Sequence, residues 1–179
     1  MNKLVIASDI HGSAYYCRLL KERFLKEGAD KLLLLGDLLY HGARNPLPRE
    51  YGTLACAEIL NSLKEHILCI KGNCDSQVDT LVLEFPVEAD FAYFPLENGR
   101  TALFTHGHLT PALLKKGDVL FNGHFHVPAI EERENCTYVN CGSVSIPKEN
   151  TPHSYLVLEG TSLTWKDVET GKPFKRAAL

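Results

Sequence analysis

The sequence lacks several features that would set it apart from ordinary globular proteins. It has no run of about 18 apolar residues, which a membrane-spanning helix needs, and no internal repeat or low-complexity tract. It has no basic excess, since 19 Lys and Arg stand against 22 Asp and Glu, a formal net charge of −3. We therefore expect neither a membrane partner nor an extended nucleic-acid-binding surface.

The six cysteines are too few and too scattered to indicate a disulfide scaffold. None of them forms a Cys-x-x-Cys pair, and their share lies well below the roughly 8–10% that is typical of such scaffolds. The N-terminal segment MNKLVIASDIHG has no small-residue cleavage site of a signal peptide. The sequence therefore predicts a cytoplasmic protein with reduced thiols, most of them in the core.

The chain has 179 residues, of which 45% are hydrophobic, and this is enough for one domain with its own core. We expect that single domain to comprise residues 1–179. The first half alternates strands at 4–7, 32–35 and 67–70 with helices at about 14–26 and 48–64. Ser13 is the expected N-cap and Gly28 the expected C-terminal residue of the first helix. The second half predicts strands at 91–96, 100–104, 119–122, 129–133, 137–140, 155–158 and 163–168, with one or two helical turns near 110–115.

These elements predict two β-rich halves packed as sheets, with the helices outside. Trp165 and the late strands are expected at a sheet edge. The basic tail at residues 171–179 is interpreted as a frayed, solvated end.

Polar side chains directly follow five of the predicted strands. Because ligands collect beyond the carboxyl ends of parallel strands, we expect these side chains at one rim. Taken alone, Gly36-Asp37 would also fit an ordinary turn, and Gly72-Asn73 would fit a left-handed turn. The prediction of a site therefore depends on all of these strand ends together. The set comprises Asp9, His11, Asp37, Asn73, His106, His124 and His126.

Carboxylate, amide and imidazole groups together suit a divalent metal such as Mn²⁺, Fe²⁺ or Zn²⁺. Seven ligands exceed what one metal takes from a protein while staying open to substrate. Two metals about 3.5–4 Å apart that share one carboxylate would use all seven. Such a pair lowers the pKa of a bound water and stabilises the oxygens of a phosphoryl centre, so the sequence predicts a dinuclear site for phosphoryl chemistry.

Five ordered blocks within residues 3–147 resemble the calcineurin-like metallophosphoesterase family: Asp9-Ile10-His11, Gly36-Asp37, Gly72-Asn73-Cys74-Asp75, Thr105-His106-Gly107-His108 and Gly123-His124-Phe125-His126. Two further stretches are similar to the small bacterial and archaeal phosphodiesterases of that family: the loop His41-Gly42 with Arg44-Asn45-Pro46, and Gly142-Ser143-Val144-Ser145-Ile146-Pro147. The resemblance implies an α/β (α+β) fold, a four-layer αββα sandwich with the metal site at the sheet ends.

The resemblance also implies a role for each site residue. One metal would be held by Asp9, His11 and His126, the other by Asn73, His106 and His124, and Asp37 would bridge them. In the mechanism that the resemblance implies, a hydroxide between the two metals would attack phosphorus in line. Asp37 and Asn73, as ligands of these metals, are therefore also candidate catalytic residues. His106 matches the family ligand better than His108, which is left as a candidate near the substrate. Mn²⁺ is the expected metal, with Zn²⁺, Fe²⁺, Ni²⁺ and Mg²⁺ as alternatives.

Cys74 departs from the family pattern, because many members carry a histidine there that assists the leaving group. A thiol is a weak hydrogen-bond donor and cannot carry the charge of an imidazolium. We therefore predict weaker activity on poor leaving groups and on dianionic monoesters, with a purely structural Cys74 as the alternative. Arg44 and His41, in the loop after Asp37, are candidate phosphate contacts, and a solvated loop arginine is the alternative.

The function predicted first is a metal-dependent phosphodiesterase acting on small phosphodiesters. A phosphomonoesterase or nucleotide pyrophosphohydrolase on the same metals is the second hypothesis. The third is a protein-binding scaffold, as in the retromer subunit that shares this fold. All seven ligand positions are filled, which favours catalysis. Apolar edge strands in the second half would permit a homo-oligomer.

Overall fold

Two β-sheets face each other in the computed structural model, which describes residues 3–109 and 114–179. The helices are α1 (Ala14–Glu27) and α2 (Thr53–Asn61), with 3₁₀ turns at Lys64–His66 and Gln77–Leu81. The strands are β1 Leu4–Ala7, β2 Lys31–Leu34, β3 Ile67–Cys69, β4 Phe91–Pro95, β5 Thr101–Thr105, β6 Asp118–Asn122, β7 Ala129–Glu132, β8 Cys136–Asn140, β9 Ser154–Glu159, β10 Ser162–Asp167 and β11 Pro173–Ala178.

The strand order is β11-β10-β9-β1-β2-β3 in the first sheet and β4-β5-β6-β8-β7 in the second. The strands β1, β2 and β3 run parallel, as do β5, β6 and β8. Parallel neighbours end at the same edge of a sheet, so the loops after these strands are brought together. The observed bounds of the predicted strands lie within one residue of the prediction.

The hydrophobic core has two main parts, one on each face of the first sheet. The helices α1 and α2 pack on its outer face, where Val5, Leu20 and Leu60 are almost completely buried. Between the sheets lies the second cluster, with Ile6 and Phe121 among its members. A smaller cluster around Leu103, Leu120 and Tyr138 lies apart from both. The two-sheet α/β architecture predicted from the sequence is confirmed.

Helix α1 begins and ends as the sequence predicts. The Ser13 side chain accepts a hydrogen bond from the Tyr16 backbone N–H, and Gly28 closes the helix with φ of 59°. The prediction of a helix at 48–64 is wrong at both ends, because α2 covers only Thr53–Asn61. Backbone hydrogen bonds tie Glu50 to Ala14 at the start of α1 and Gly52 to Gly12 in the loop before it, and Glu50 has a left-handed φ of 49°, so the helix does not extend back through this stretch.

The predictions for the C-terminal segment are also wrong. Strand β11 pairs antiparallel with β10 along its length, so residues 173–178 are not a frayed end. Trp165 is completely buried in the core between the sheets, and its Nε1 donates to the Asn140 carbonyl at 2.7 Å. Ala177 and Leu179 pack against that core. The pairing with β11 is what keeps β10 from the edge of the sheet.

The sequence also predicts no membrane partner and cysteines that lie mostly in the core. Neither helix of the described residues is long and apolar enough to cross a membrane. The six cysteines are free, and four of them are buried, in line with a role in the core. Of the helical turns predicted near 110–115, residues 110–113 lie outside the described part of the chain.

Candidate metal centre

The seven residues predicted from the strand ends lie together at one rim, and five of them have left-handed backbone conformations. Asp9, His11, Asp37, His124 and His126 have φ between 50° and 63°. Such φ values cost roughly 1–3 kcal/mol each for a residue other than glycine and cluster at functional sites. These five are among eight such residues in the described part of the chain. The folded structure therefore holds the rim in a strained conformation.

The first group of ligand atoms comes from Asp9, His11 and His126, all of them buried. The Asp9 Oδ1 atom lies 3.5 Å from Nε2 of His11 and 3.2 Å from Nε2 of His126. The two Nε2 atoms are 3.5 Å apart. One carboxylate oxygen and two ring nitrogens therefore face a common point.

The second group comes from Asp37, His106 and His124. The Nε2 atom of His106 lies 3.4 Å from Asp37 Oδ2, 3.1 Å from Nδ1 of His124 and 3.0 Å from Oδ1 of Asn73. The same Asp37 Oδ2 is 3.8 Å from Nε2 of His11, in the first group. Asp37 thus lies between the two groups.

The histidine rings are oriented by backbone carbonyl groups. Nδ1 of His11 lies 2.8 Å from the Tyr40 carbonyl oxygen, and Nδ1 of His106 lies 2.6 Å from that of Leu35. Nδ1 of His126 lies 2.5 Å from the Ile146 carbonyl oxygen. Since a carbonyl only accepts, each Nδ1 carries a proton, so each Nε2, once it has lost its own proton, directs a lone pair into the site.

Lone pairs that converge in this way repel one another unless a cation lies between them. Asp9 Oδ1 is buried and has no hydrogen-bond partner within residues 3–109 and 114–179. Neutral Nε2 atoms and carboxylate oxygens at a strained rim are the donor set of a divalent metal such as Mn²⁺ or Zn²⁺. The residues present therefore fit the metal ions that the sequence predicts.

The electrostatics of the side chains agree with a site built for positive charge. Burial disfavours the charged ring of His106, yet contact with Asp37 and the charge of Asp9 raise its pKa from 6.5 to about 9. Burial alone would raise the pKa of Asp9, but His11 and His126 hold it well below its ordinary value. The pocket thus favours ionised carboxylates and a cation beside them.

Asp75 is a positioning residue to which the sequence analysis gave no role. One of its carboxylate oxygens accepts from the backbone N–H groups of Asp37 and Gly72 at 2.8 and 2.7 Å. The other accepts from the N–H of Leu38 at 2.8 Å. Asp75 therefore ties the loop after β2 to the loop after β3. Its position in the Gly-Asn-x-Asp block was the signal that could have identified it.

Ser143 and Ser145 support the opposite side of the site. Both hydroxyls donate to the Asp9 carbonyl, at 3.0 and 3.1 Å. Together with the Ile146 carbonyl that orients His126, they explain why a Gly-Ser-Val-Ser-Ile stretch follows β8.

Two glycines are required by close approach of the backbone to the ligands. A Cβ on Gly123 would lie 1.9 Å from Ser8 Oγ and 2.8 Å from Asp9 Oδ2, and one on Gly72 would lie 2.2 Å from Asp37 Oδ1. The alternative interpretation of Gly72-Asn73 as a left-handed turn does not hold, because neither residue has a positive φ, whereas Gly36 has a φ of 91°.

A cavity of about 490 Å³ opens over the two groups. Besides Asp37, Asn73, His124 and His126, it is lined by Arg44, Asn45, Cys74, Phe125 and Lys148, among others. We refer to it below as the metal cavity. Arg44 thus lies where the sequence places it, near the site.

The other two substrate candidates lie outside the lining of this cavity. The ring of His41 packs between Tyr40 and Tyr51. His108 is exposed, with its ring centroid 5.5 Å from that of His106. The part of the ring that is shielded from solvent and the nearby His106 lower the pKa of His108.

Cys74 lines the metal cavity as a protonated thiol. Its backbone N–H donates to Asp37 Oδ1 at 2.8 Å. Burial and the negative charge of Asp37 raise the pKa of the thiol to about 12. The group facing the cavity is therefore a neutral, weak donor.

Comparisons with known proteins agree with this geometry. The family model of the calcineurin-like phosphoesterase superfamily domain matches residues 2–162. The phosphodiesterase YfcE of Escherichia coli K12 is 44% identical over 169 residues, covering 92% of this chain and 91% of its own. A solved structure of that phosphoesterase from Escherichia coli matches with a TM-score of 0.91 and 40% identity, covering 98% of each chain.

A more distant structure shares the fold alone. Vps29 of Entamoeba histolytica, solved with zinc, has a TM-score of 0.57 at 17% identity and covers 98% of each chain. The family model includes all the ligand positions described above, and the relative from Escherichia coli K12 covers 92% of the chain. The chain therefore belongs to the calcineurin-like phosphoesterase superfamily.

Proposed function

We propose that this protein is a phosphodiesterase that holds two divalent metal ions, most readily Mn²⁺, and hydrolyses small phosphodiesters. The observation that carries the proposal is the pair of ligand groups that meet at Asp37 on the floor of the metal cavity. Metal ions bound there supply an activated water and stabilise negative charge on a phosphoryl group. The phosphodiesterase activity of the 44% identical relative supports the same reaction.

The ligand assignment follows the two groups. Asp9, His11 and His126 would hold one ion, and His106, His124 and Asn73 the other. Asp37 would contribute to both, since its Oδ2 lies 3.8 Å from His11 Nε2 and 3.4 Å from His106 Nε2. We treat residues 1–179 as a single domain that contains the complete site.

The rim of the metal cavity supplies the charge that binds a phosphodiester. Arg44 and Lys148 line it, and a guanidinium can hold two phosphate oxygens at once. Because two divalent metal ions would more than offset the charge of the two carboxylates, these cations would make the cavity attractive to a monoanion. His41 is set aside as a phosphate contact, because its ring packs between two tyrosines.

Cys74 favours diesters over monoesters. Unlike an imidazolium, a cysteine side chain adds no positive charge that would bind the second charge of a monoester. It also transfers a proton poorly to a departing alkoxide. We therefore place the leaving group beside Cys74 and expect good leaving groups to react fastest.

The test is an assay of metal-free protein to which Mn²⁺, Mg²⁺, Zn²⁺ or Ni²⁺ is added back. Bis(p-nitrophenyl) phosphate should be hydrolysed faster than p-nitrophenyl phosphate or a nucleotide pyrophosphate, and only with metal. Asp37→Asn should lower kcat/KM by about a hundredfold or more, since even residues around metal ligands contribute 10–100-fold. Asp90→Asn, which changes an exposed carboxylate, is the matched control.

Two other outcomes would change the assignment. Faster turnover of the monoester or the pyrophosphate would favour the second hypothesis on the same site. No turnover with any metal would favour the scaffold function.

We also propose that the protein is located in the cytoplasm. The six free cysteines favour the cytoplasm, where thiols stay reduced. Exposed side chains on β4, Tyr93 and Phe94, give a surface through which copies of the chain could assemble.

A further inference from the structure

A second cavity adjoins the metal cavity, and Phe125 lines both of them. Phe125 stands between the two histidines of the Gly-His-Phe-His block and is 50% exposed. Its ring contacts that of His124 edge-on, with the centroids 5.1 Å apart. An exposed phenyl ring is therefore fixed beside a proposed metal ligand, on the wall that the two cavities share.

The second cavity has the size and the lining of a ligand pocket. Its volume is about 570 Å³, within the range of about 300–1,000 Å³ that small-molecule sites occupy. Leu109, Leu120, Val127 and Tyr138 contribute apolar surface. The Arg133 guanidinium stacks on the Tyr138 ring at 3.6 Å, which keeps that wall flat.

One polar group in this wall lacks a partner. Asn122 lines the cavity and is only 5% exposed, yet its Oδ1 has no hydrogen-bond partner in the described part of the chain. Buried side-chain polar atoms are normally paired, so an unpaired amide oxygen in a residue of the cavity wall points to a ligand that carries an N–H group. A carboxamide also suits the hydrogen-bonding edge of a nucleobase.

We propose that the second cavity binds the ester group that stays on phosphorus, and that it selects a planar heteroaromatic group such as a nucleobase, stacked on Phe125. This inference rests on the proposed phosphodiesterase function. The leaving group is assigned to the side of Cys74, which lines the metal cavity and not the second one. The substrate class is then a phosphodiester with one nucleoside.

The test compares two diesters with the same leaving group, p-nitrophenyl methyl phosphate and thymidine 5′-(p-nitrophenyl phosphate). The quantity measured is the ratio of their kcat/KM values, thymidine over methyl. Because stacking of a base on an aromatic side chain is lost in an alanine variant, Phe125→Ala should lower this ratio about tenfold. Phe125→Tyr should retain it, and Phe174→Ala, at an equally apolar and 40% exposed position on β11, should leave it unchanged.

The outcomes separate this proposal from the proposed function. If the wild-type protein hydrolyses both diesters and Phe125→Ala leaves the ratio unchanged, the second cavity is not the site of the retained group. If neither diester is hydrolysed with any metal, the proposed function itself fails.

A binding measurement tests the same inference on the wild-type protein, without turnover and without any substitution. Calorimetry on the zinc-loaded wild-type protein compares phenylphosphonate with methylphosphonate. Phenylphosphonate should bind about tenfold more tightly if its ring stacks on Phe125. Equal affinity for the two phosphonates would overturn the inference.

Discussion

Replacing Asp75 tests whether the site is held together by one buried carboxylate. Asp75 is 6% exposed and accepts three backbone hydrogen bonds, from Asp37, Leu38 and Gly72. In Asp75→Ala all three N–H groups lose their acceptor, at about 1–2 kcal/mol each, so the free energy of unfolding should fall by about 3–6 kcal/mol. That is a large part of the roughly 5–15 kcal/mol that stabilises a domain.

Asp75→Asn provides an intermediate case. Its single carboxamide oxygen can still accept from Asp37 and Gly72, but its NH₂ group would face the Leu38 N–H. We expect a loss of about 1–3 kcal/mol, since one donor is left unpaired. The order wild type, Asn variant, Ala variant is therefore part of the prediction.

The assay is urea unfolding of metal-free protein, followed by the fluorescence of Trp165, the single and fully buried tryptophan. Removing metal ensures that only the hydrogen bonds of the folded chain are compared. Asp90→Ala is the control, because Asp90 is exposed. A free energy of unfolding for Asp75→Ala within about 1 kcal/mol of the wild-type value would refute the reasoning, since three unpaired buried donors cannot cost so little.

Three further predictions concern the leaving group, the phosphate contact and the C-terminal strand. Cys74→His should raise turnover of phenyl phosphate relative to bis(p-nitrophenyl) phosphate by about tenfold or more, because an imidazolium can protonate a poor leaving group; an unchanged preference would contradict this role of Cys74. Arg44→Ala should raise KM for the diester about fivefold with little change in kcat, through loss of a charged hydrogen bond; an unchanged KM would identify a solvated arginine. Removal of residues 172–179 should lower the free energy of unfolding by about 2 kcal/mol or more, because it uncovers β10 and the apolar side chains packed on Leu179; urea unfolding would show no loss if the tail were frayed.

The first half of the fold and the convergence of the proposed metal-ligating residues could be predicted because local sequence patterns determine them. Four consecutive leucines at 32–35 indicate a strand covered on both faces, and the polar residue that follows marks its carboxyl end. Ser13 and Gly28 cap α1 through contacts with their own neighbours. Parallel strands then bring Asp9, Asp37 and Asn73 to one rim without any further information.

The errors arise where distant parts of the chain decide the local structure. Residues 50–52 fall within the predicted helix, but hydrogen bonds to Gly12 and Ala14 hold them in a non-helical conformation. The tail has little hydrophobic alternation of its own, and only the ladder with β10 makes it a strand. The bonds of Asp75 to Asp37 and Leu38 join residues nearly 40 positions apart, so the Gly-Asn-x-Asp block singles out Asp75 without showing which backbone groups it binds.

The central claim is that two divalent metal ions are held by the two ligand groups that share Asp37. Anomalous X-ray diffraction from crystals loaded with Mn²⁺ tests it most directly. We expect two anomalous peaks about 3.5–4 Å apart, one beside Asp9, His11 and His126 and the other beside His106 and His124, with Asp37 between them. A single peak, or peaks away from these side chains, would contradict the claim.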